Sequence, residues 1–262
     1  MGKLDGKVAI VTGAGRGIGR AIAEAYLQEG ASVTVTAARE QAELDQLARQ
    51  GWSEQVLALL ADVANPEACE QVVDQTIQRF GHVDILVNNA ARGMKYVSAS
   101  FLTEPTRFWE TEPSAWRMII DANVNGPFYM ARAVVTRLLE QQREGSIINI
   151  GVSYDTTKRR GFSPYGPSKA ALESASVIWA QELAEAHIRV NILLPGSATN
   201  TGMVPASTPA DVQARLLQPE IIQAPAVFLA SDASRDLTSR RLIATEWSAT
   251  NPQGRTIVEG IG

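Results

Sequence analysis

The sequence predicts an α/β fold, a single doubly wound domain over residues 1–262 with a mostly parallel sheet of seven strands. Short apolar runs rich in β-branched residues alternate with longer segments of helical period along the chain. This alternation is typical of a parallel sheet that helices cover on both faces. A glycine-rich turn joins the first apolar run to the first helical segment, and no repeat or linker divides the chain.

The individual elements follow from the apolar period and from residues that start or stop them. The predicted strands lie at residues 8–11, 31–36, 56–60, 84–87, 146–150, 188–194 and 242–245. Helices are predicted after Gly19, before Ser231, and at 40–50, 66–80, 114–142 and 164–186. Pro66 suits a first helical turn, and Ser114 is a candidate cap of its helix. Residues 92–113 are expected to form a loop, and residues 197–218 an irregular or partly helical segment.

Composition argues against several classes of function. The 262 residues are 45% apolar and 20% charged, as in an ordinary globular protein, and the net charge of −4 argues against a nucleic-acid surface. One cysteine and two histidines are poor material for a metal site, so none is expected. The chain has no run of 18 apolar residues, and its first strand begins too early for a signal peptide. We therefore expect a cytoplasmic protein without a membrane span.

The glycine-rich turn predicts a nucleotide site. Gly13, Gly17 and Gly19 follow the first apolar run and precede a helical pattern. Glycine permits a tight turn close to a pyrophosphate, and the helix start offers that anion unpaired N–H groups and a positive dipole end. The alternative is an ordinary loop, but strand, glycine turn and helix in this order favour binding.

Tyr165 and Lys169 form a second candidate site. They are four residues apart and therefore share one face of a predicted helix. A free tyrosine, with a pKa of about 10, is a poor base at neutral pH, whereas a nearby ammonium lowers that pKa. Such a tyrosine exchanges a proton with a substrate oxygen while hydride moves to or from carbon. A coincidental pair on a helix surface is the alternative.

Several motifs in a fixed order resemble the short-chain dehydrogenase/reductase family. They are TGAGRGIG at 12–19, Asp62-Val63, NNAA at 88–91, WRMIIDANVNGPF from Trp116, GSIINI from Gly145, YGPSK at 165–169 and RVNILLPG from Arg189. The resemblance spans residues 7–231. It implies a Rossmann-like domain that binds NAD(P)(H), and a homotetramer.

The resemblance also implies the roles of individual residues. The cofactor phosphates would be cradled by Gly13, Arg16, Gly17 and Ile18. The adenosine half would be held by Asp62, Val63, Asn89 and Ala90, and the nicotinamide would be bordered by Pro195, Gly196 and Thr201. Tyr165 would be the acid/base, and Lys169 would hold the nicotinamide ribose and lower the pKa of the tyrosine. Asn123 would bind a water in a proton relay behind Lys169.

The chain departs from the family pattern at three places. Ala91 replaces a glycine, which is a mild change. The usual D-G-G after the last strand reads Thr-Glu-Trp at 245–247, followed by an unusual tail that would alter a subunit contact or cover the pocket. The family's catalytic serine falls on Val152. We expect Ser153 to supply the hydroxyl instead, which requires the loop after Ile150 to bulge or turn early; Tyr154 or a water is the alternative donor.

Cofactor choice depends on the end of the second strand. An acidic residue there would bind the ribose 2′-hydroxyl. Arg39 stands there instead and would pair with a 2′-phosphate in a bidentate way, which favours NADP(H) over NAD(H). The alternative is that Arg39 simply points to solvent.

These residues predict an NADP(H)-preferring oxidoreductase that interconverts a carbonyl and an alcohol. The 92–113 loop, Phe162, Met203 and Val204 are expected to line a pocket for a hydrophobic or ring-bearing substrate. The basic run 158–160 would either attract an anionic substrate or form a solvated face. The rival functions are reduction of an activated carbon–carbon double bond and non-enzymatic nucleotide-dependent regulation.

Overall fold

One sheet organises the part of the chain that the computed structural model describes, residues 2–49 and 51–256. Its order is β3-β2-β1-β4-β5-β6-β7-β8. The strands are β1 Val8–Val11, β2 Ser32–Ala37, β3 Val56–Leu60, β4 Ile85–Asn88, β5 Gly145–Ile150, β6 Ile188–Leu194, β7 Arg240–Ile243 and β8 Arg255–Thr256. The first seven are parallel, and β8 is antiparallel to β7. The predicted seven-stranded parallel sheet is therefore confirmed, and a two-residue strand covers its β7 edge.

Helices cover the sheet on both faces. They are α1 Gly17–Gln28, α2 Gln41–Ala48, α3 Pro66–Phe80, α4 Pro113–Ile120, α5 Gly126–Glu140, α6 Tyr154–Thr157, α7 Tyr165–Glu182, α8 Ala210–Gln213 and α9 Gln223–Ala230. One hydrophobic core contains side chains of α1, α2 and α9, and the other contains side chains of α3, α5 and α7. Successive residues of β1 alternate between the two cores, as period-two side chains of a buried strand must: Ala9 and Val11 face the first core, and Ile10 faces the second.

The helix predicted at 114–142 differs most from the expectation. It begins at Pro113, so Ser114 lies inside the first turn and Glu112 occupies the capping position. A π-helical turn at Asp121–Asn125 then separates α4 from α5, which ends at Glu140. The chain remains helical from α4 through the π-turn into α5, which is why the sequence reads as one helix.

Smaller differences concern the loops and the last strand. The 92–113 loop contains two short 3₁₀ turns, Met94–Tyr96 and Phe108–Glu110. The last parallel strand begins at Arg240, two residues before the predicted start. Beyond it, Trp247 packs against Phe228 with the ring centroids 5.8 Å apart.

Candidate functional site at the carboxyl edge of the sheet

The glycine turn lies at the start of α1, packed against neighbouring loops. Gly13 has φ +64°, and a Cβ there would lie 2.9 Å from Cα of Ala90. Gly17 has φ +58°, and its Cβ would lie 3.1 Å from Cγ2 of Thr201. Arg16 occupies the N-cap of α1 without a side-chain capping bond. The turn therefore has no room for side chains at these two positions. Its bare backbone forms a cradle at a helix start, which can receive an anion, and it fits a dinucleotide phosphate.

Thr12 and Asn89 lock this cradle to the end of β4. The Thr12 hydroxyl accepts hydrogen bonds from the backbone N–H groups of Asn89 and Ala90, both at 3.0 Å. In return, the Asn89 amide donates to the carbonyls of Thr12, at 2.8 Å, and Gly13, at 3.0 Å. The Asn89 amide nitrogen therefore fixes the position of the glycine turn.

Asp62 pairs with a residue that the sequence did not single out. Its carboxylate lies 2.7 Å from the guanidinium of Arg92, four residues beyond the end of β4. Its other oxygen accepts the N–H of Ala64 at 3.1 Å. The adjacent Val63 is buried against Gly126, where a Cβ would lie 2.7 Å from Cγ2 of the valine. Asp62 and Val63 thus lie at the predicted edge, and Arg92 fixes the carboxylate.

Asn123 connects Arg92 to the helix that carries Tyr165. It lies in the π-turn and is fully buried. Its oxygen accepts the N–H of Arg92 at 2.8 Å, and its nitrogen donates to the Arg92 carbonyl at 3.0 Å and to Oγ of Ser168 at 2.9 Å. Ser168 in turn donates to the Tyr165 carbonyl at 2.7 Å. Sequence reasoning missed Arg92 and Ser168, although Arg92 directly follows the motif at 88–91 and Ser168 lies inside the motif at 165–169.

Lys169 and Tyr165 lie at the start of α7, one turn apart. Lys169 is buried, and its Nζ donates to the carbonyl of Ile150 at 2.8 Å, at the end of β5. Tyr165 is half-buried against Phe162, with the ring centroids 6.5 Å apart. The ammonium therefore fixes the end of β5 to the helix that carries the tyrosine.

Burial perturbs both groups, in opposite directions. It raises the pKa of Tyr165 to about 12 and lowers the pKa of Lys169 to about 8. The sequence predicts a lowered tyrosine pKa, so this direction is a correction: removal of water from the phenolate outweighs any attraction to the ammonium. At neutral pH Tyr165 therefore carries its proton.

Ser153 caps a short helix beside this pair. The chain leaves β5 and enters α6 at Tyr154, so it turns early. Oγ of Ser153 accepts from the N–H of Thr156 at 3.3 Å and lies 2.9 Å from the Thr156 hydroxyl. The alternative donor, Tyr154, gives its hydroxyl proton to Glu173 at 2.9 Å.

The predicted pocket residues come together in part. Met94, Phe101 and Phe162 form a small core, against which Tyr165 packs. Met203 lies beside Gly93, whose Cβ would be 3.3 Å from the Met203 sulfur. By contrast, Phe108 and Trp109 are about two-thirds exposed, and residues 158–160 are exposed.

The remaining predicted cofactor residues lie at the start of α1 or just beyond the ends of β2 and β6. Arg39 is exposed just beyond β2, and Ile18 is half-buried in the first turn of α1. The Arg16 guanidinium lies 3.3 Å from the Glu43 carboxylate. Pro195 and Gly196 follow β6, where Gly196 adopts φ +107° against Thr245. Within the described residues, 2–49 and 51–256, no three side chains are grouped as ligands of a metal ion. No helix in the same residues is long and apolar enough to cross a membrane.

The lowered pKa of Lys169 predicts a pH-dependent stability. Between about pH 8 and pH 10 the unfolded chain binds the lysine proton and the folded chain does not, so the free energy of unfolding rises with pH. We expect wild type to gain on the order of 2 kcal/mol over Lys169→Met between pH 7.5 and 9.5, measured by urea unfolding. Lys158→Met, which changes an exposed lysine, should follow wild type. Equal pH slopes in wild type and Lys169→Met would contradict the buried ammonium.

Comparisons with known proteins agree with this architecture. The family model described as short chain dehydrogenase matches residues 7–211. The chain is 34% identical to an uncharacterized oxidoreductase of Mycobacterium tuberculosis, over 92% of each chain. It is also 34% identical to the 3-oxoacyl-[acyl-carrier-protein] reductase FabG of Escherichia coli, over 91% of this chain and 96% of that one.

A solved structure supports the same assignment. The crystal structure of a candidate short-chain alcohol dehydrogenase from Sinorhizobium meliloti 1021 superposes with a TM-score of 0.79 at 30% identity, covering 92% of this chain and 95% of the other. The confirmed seven-stranded parallel sheet, the glycine turn and these matches lead to one conclusion. The chain belongs to the short-chain dehydrogenase family of NAD(P)(H)-using oxidoreductases.

Proposed function

We propose that the protein is an NADP(H)-preferring oxidoreductase that interconverts a carbonyl and an alcohol on a small hydrophobic or ring-bearing substrate. The observation that carries this proposal is the position of the half-buried Tyr165. It begins helix α7, which Asn123 and Lys169 tie to the carboxyl edge of the sheet. In the reducing direction, the tyrosine hydroxyl would donate its proton to the substrate oxygen. A positioned acid of this kind contributes roughly 10²- to 10⁴-fold in rate.

The other residues of the site bind, orient and relay. Lys169 would contact the nicotinamide ribose, while Asn123 holds the helix that carries Tyr165 and would bind the relay water. Ser153 would donate to the substrate oxygen as charge develops there. When bound, the nicotinamide would supply or accept the hydride at the substrate carbon.

The cofactor would lie along the carboxyl edge of the sheet. The phosphates would contact Gly13, Arg16, Gly17 and Ile18, the adenosine half Asp62, Val63, Asn89 and Ala90, and the nicotinamide Pro195, Gly196 and Thr201. Arg39 would contact a 2′-phosphate, since it is exposed beyond β2. The small core of Met94, Phe101 and Phe162 beside Tyr165 supports an apolar substrate.

Reduction of an activated carbon–carbon double bond is the second candidate. Val152 stands where the resemblance places a serine, and the Ser153 hydroxyl already contacts Thr156, which favours a reaction that needs no serine donor. Oxidation of the reduced cofactor with ketones, aldehydes and enones as substrates separates the two reactions. A nucleotide-binding regulator would turn over none of them.

Tyr165→Phe should lower kcat by a hundredfold or more and leave the cofactor dissociation constant within about threefold. The variant removes only the hydroxyl that would carry the proton. Steady-state rates and a fluorescence titration of the cofactor measure the two effects. Tyr129→Phe, which changes a half-buried tyrosine on α5, is the control. A Tyr165→Phe enzyme with full turnover would refute the acid role.

Arg39→Asp should shift cofactor preference from NADP(H) towards NAD(H). The change removes a cation and adds an anion near the 2′-phosphate, and each tenfold change in the kcat/KM ratio corresponds to about 1.4 kcal/mol. Arg49→Asp makes the same charge change at an exposed position at the far end of α2. If both variants leave the kcat/KM ratio of the two cofactors as in wild type, Arg39 does not bind the phosphate.

We also propose a cytoplasmic homotetramer. Exposed apolar side chains on α4, α5 and α7 support an interface: Trp116, Phe128, Leu139 and Ile178 are 41–51% exposed in the single chain. Trp179, also on α7, packs instead against the core of its own chain.

Light scattering at micromolar concentration should give four times the chain mass. The double variant Phe128→Glu/Ile178→Glu should reduce that mass, because charges would be buried between subunits. Leu60→Glu changes an equally exposed leucine at the end of β3 and should leave the assembly unchanged. A monomeric wild type would overturn the proposal.

A further inference from the structure

A buried ion pair between Glu173 and Arg241 lies close to the segment that contains Ser153, and the proposed function assigns no role to either residue. Glu173 lies on α7, one helical turn beyond Lys169, and is 4% exposed. Arg241 lies on β7 and is 5% exposed. Its Nε is 2.9 Å from Oε1 of Glu173, an ion-pair contact rather than an aligned hydrogen bond.

The same two side chains hold both neighbours of Ser153. Nη2 of Arg241 donates to the carbonyl of Val152 at 2.7 Å. The guanidinium carbon lies 3.8 Å from the centroid of the Tyr154 ring, and the Tyr154 hydroxyl donates to Glu173 at 2.9 Å. The backbone on one side of Ser153 and the side chain on the other are therefore fixed to a single pair.

Stability alone does not explain this pair. A buried ion pair pays a large desolvation cost and often contributes less than apolar residues of the same volume. Burial raises the pKa of Glu173 although Arg241 and Tyr154 oppose that shift, so the carboxylate remains in an unfavourable environment. Because Arg241 and Glu173 contact both neighbours of Ser153, the pair is placed to hold that serine in one position.

The held segment also touches the helix of Tyr165. Ser153 caps α6, and a Cβ at Gly166 would lie 2.5 Å from the carbonyl of Thr157, the last residue of α6. A shift of the segment after β5 would therefore move Ser153 relative to the residue that follows Tyr165.

We propose that Arg241 and Glu173 are positioning residues that set the orientation of Ser153 for the substrate oxygen. This inference rests on the proposed function, since it assigns Ser153 as the donor. Neither residue touches the reacting atoms; both act through Val152 and Tyr154. The family pattern has its serine at position 152, where this chain has Val152. Arg241 and Glu173 would instead orient the hydroxyl of the next residue, Ser153.

A double-mutant cycle tests the coupling. Arg241→Lys keeps the charge beside Glu173 but loses the fork that reaches Val152 and stacks on Tyr154. With Ser153 present, we expect it to lower kcat about tenfold and to leave the KM for the cofactor unchanged. In the Ser153→Ala background, it should cause no further loss. Arg240→Lys, the preceding position on β7, is the control and should leave kcat as in wild type.

Two results of the cycle would overturn the proposal. An equal fractional loss in both backgrounds would mean that the pair acts on the fold and not through Ser153. No loss with Ser153 present would mean that the segment needs no such support. The double variant Arg241→Met/Glu173→Met, which buries no charge, should reproduce the loss if Arg241→Lys folds poorly.

Hydrogen exchange separates this inference from the proposed function. In Arg241→Lys, amides at 151–157 should exchange faster while those in the middle of α7 remain protected, whether or not a substrate is turned over. Unchanged exchange at 151–157 would refute the positioning role. Turnover that survives Tyr165→Phe would refute the proposed function. In that case hydrogen exchange at 151–157 would still test whether Arg241 holds the segment around Ser153.

Discussion

The site depends on how the backbone groups at the carboxyl ends of the parallel strands are satisfied. The inter-strand hydrogen bonds of the sheet stop there, and each buried backbone N–H or C=O group that loses its partner costs about 1–3 kcal/mol of stability. Thr12 and Asn89 fill this need between β1 and β4, and Lys169 fills it at the end of β5. Because side chains complete the sheet edge, its loops have fixed positions relative to one another, and the glycine turn and Tyr165 can share that edge.

The same burial acts on the two titratable groups of the site. It shifts both Tyr165 and Lys169 towards their uncharged forms, because it removes water that would solvate the phenolate and the ammonium. A raised pKa keeps the proton on the Tyr165 phenol but makes that phenol a weaker acid, so the shift alone does not set the direction of the reaction. The packing around α7 thus influences the charge of both groups.

Much of the fold was predictable because its signals are local. The apolar run of β1, the glycines after it and the period of the helices lie within a few residues of each other. The ion pairs Asp62–Arg92 and Glu173–Arg241 join different elements, so no local pattern indicates them. The rise in the Tyr165 pKa was missed for a related reason: the spacing shows that Lys169 shares its helix face, but not how far the surrounding packing removes water from the phenol.

The π-turn at Asp121–Asn125 carries a consequence for the tolerance of this helix to insertion and deletion. One residue corresponds to about 100° of rotation in an α-helix. Deleting one residue from the turn would let α4 and α5 join as a regular helix, but everything before the join would rotate by that angle. Asn123 would then lose its bonds to Arg92 and Ser168. The number of residues in this segment is thus fixed, because adding or removing even one would misplace Asn123. The types of the surrounding residues are less constrained, provided that they keep the apolar face.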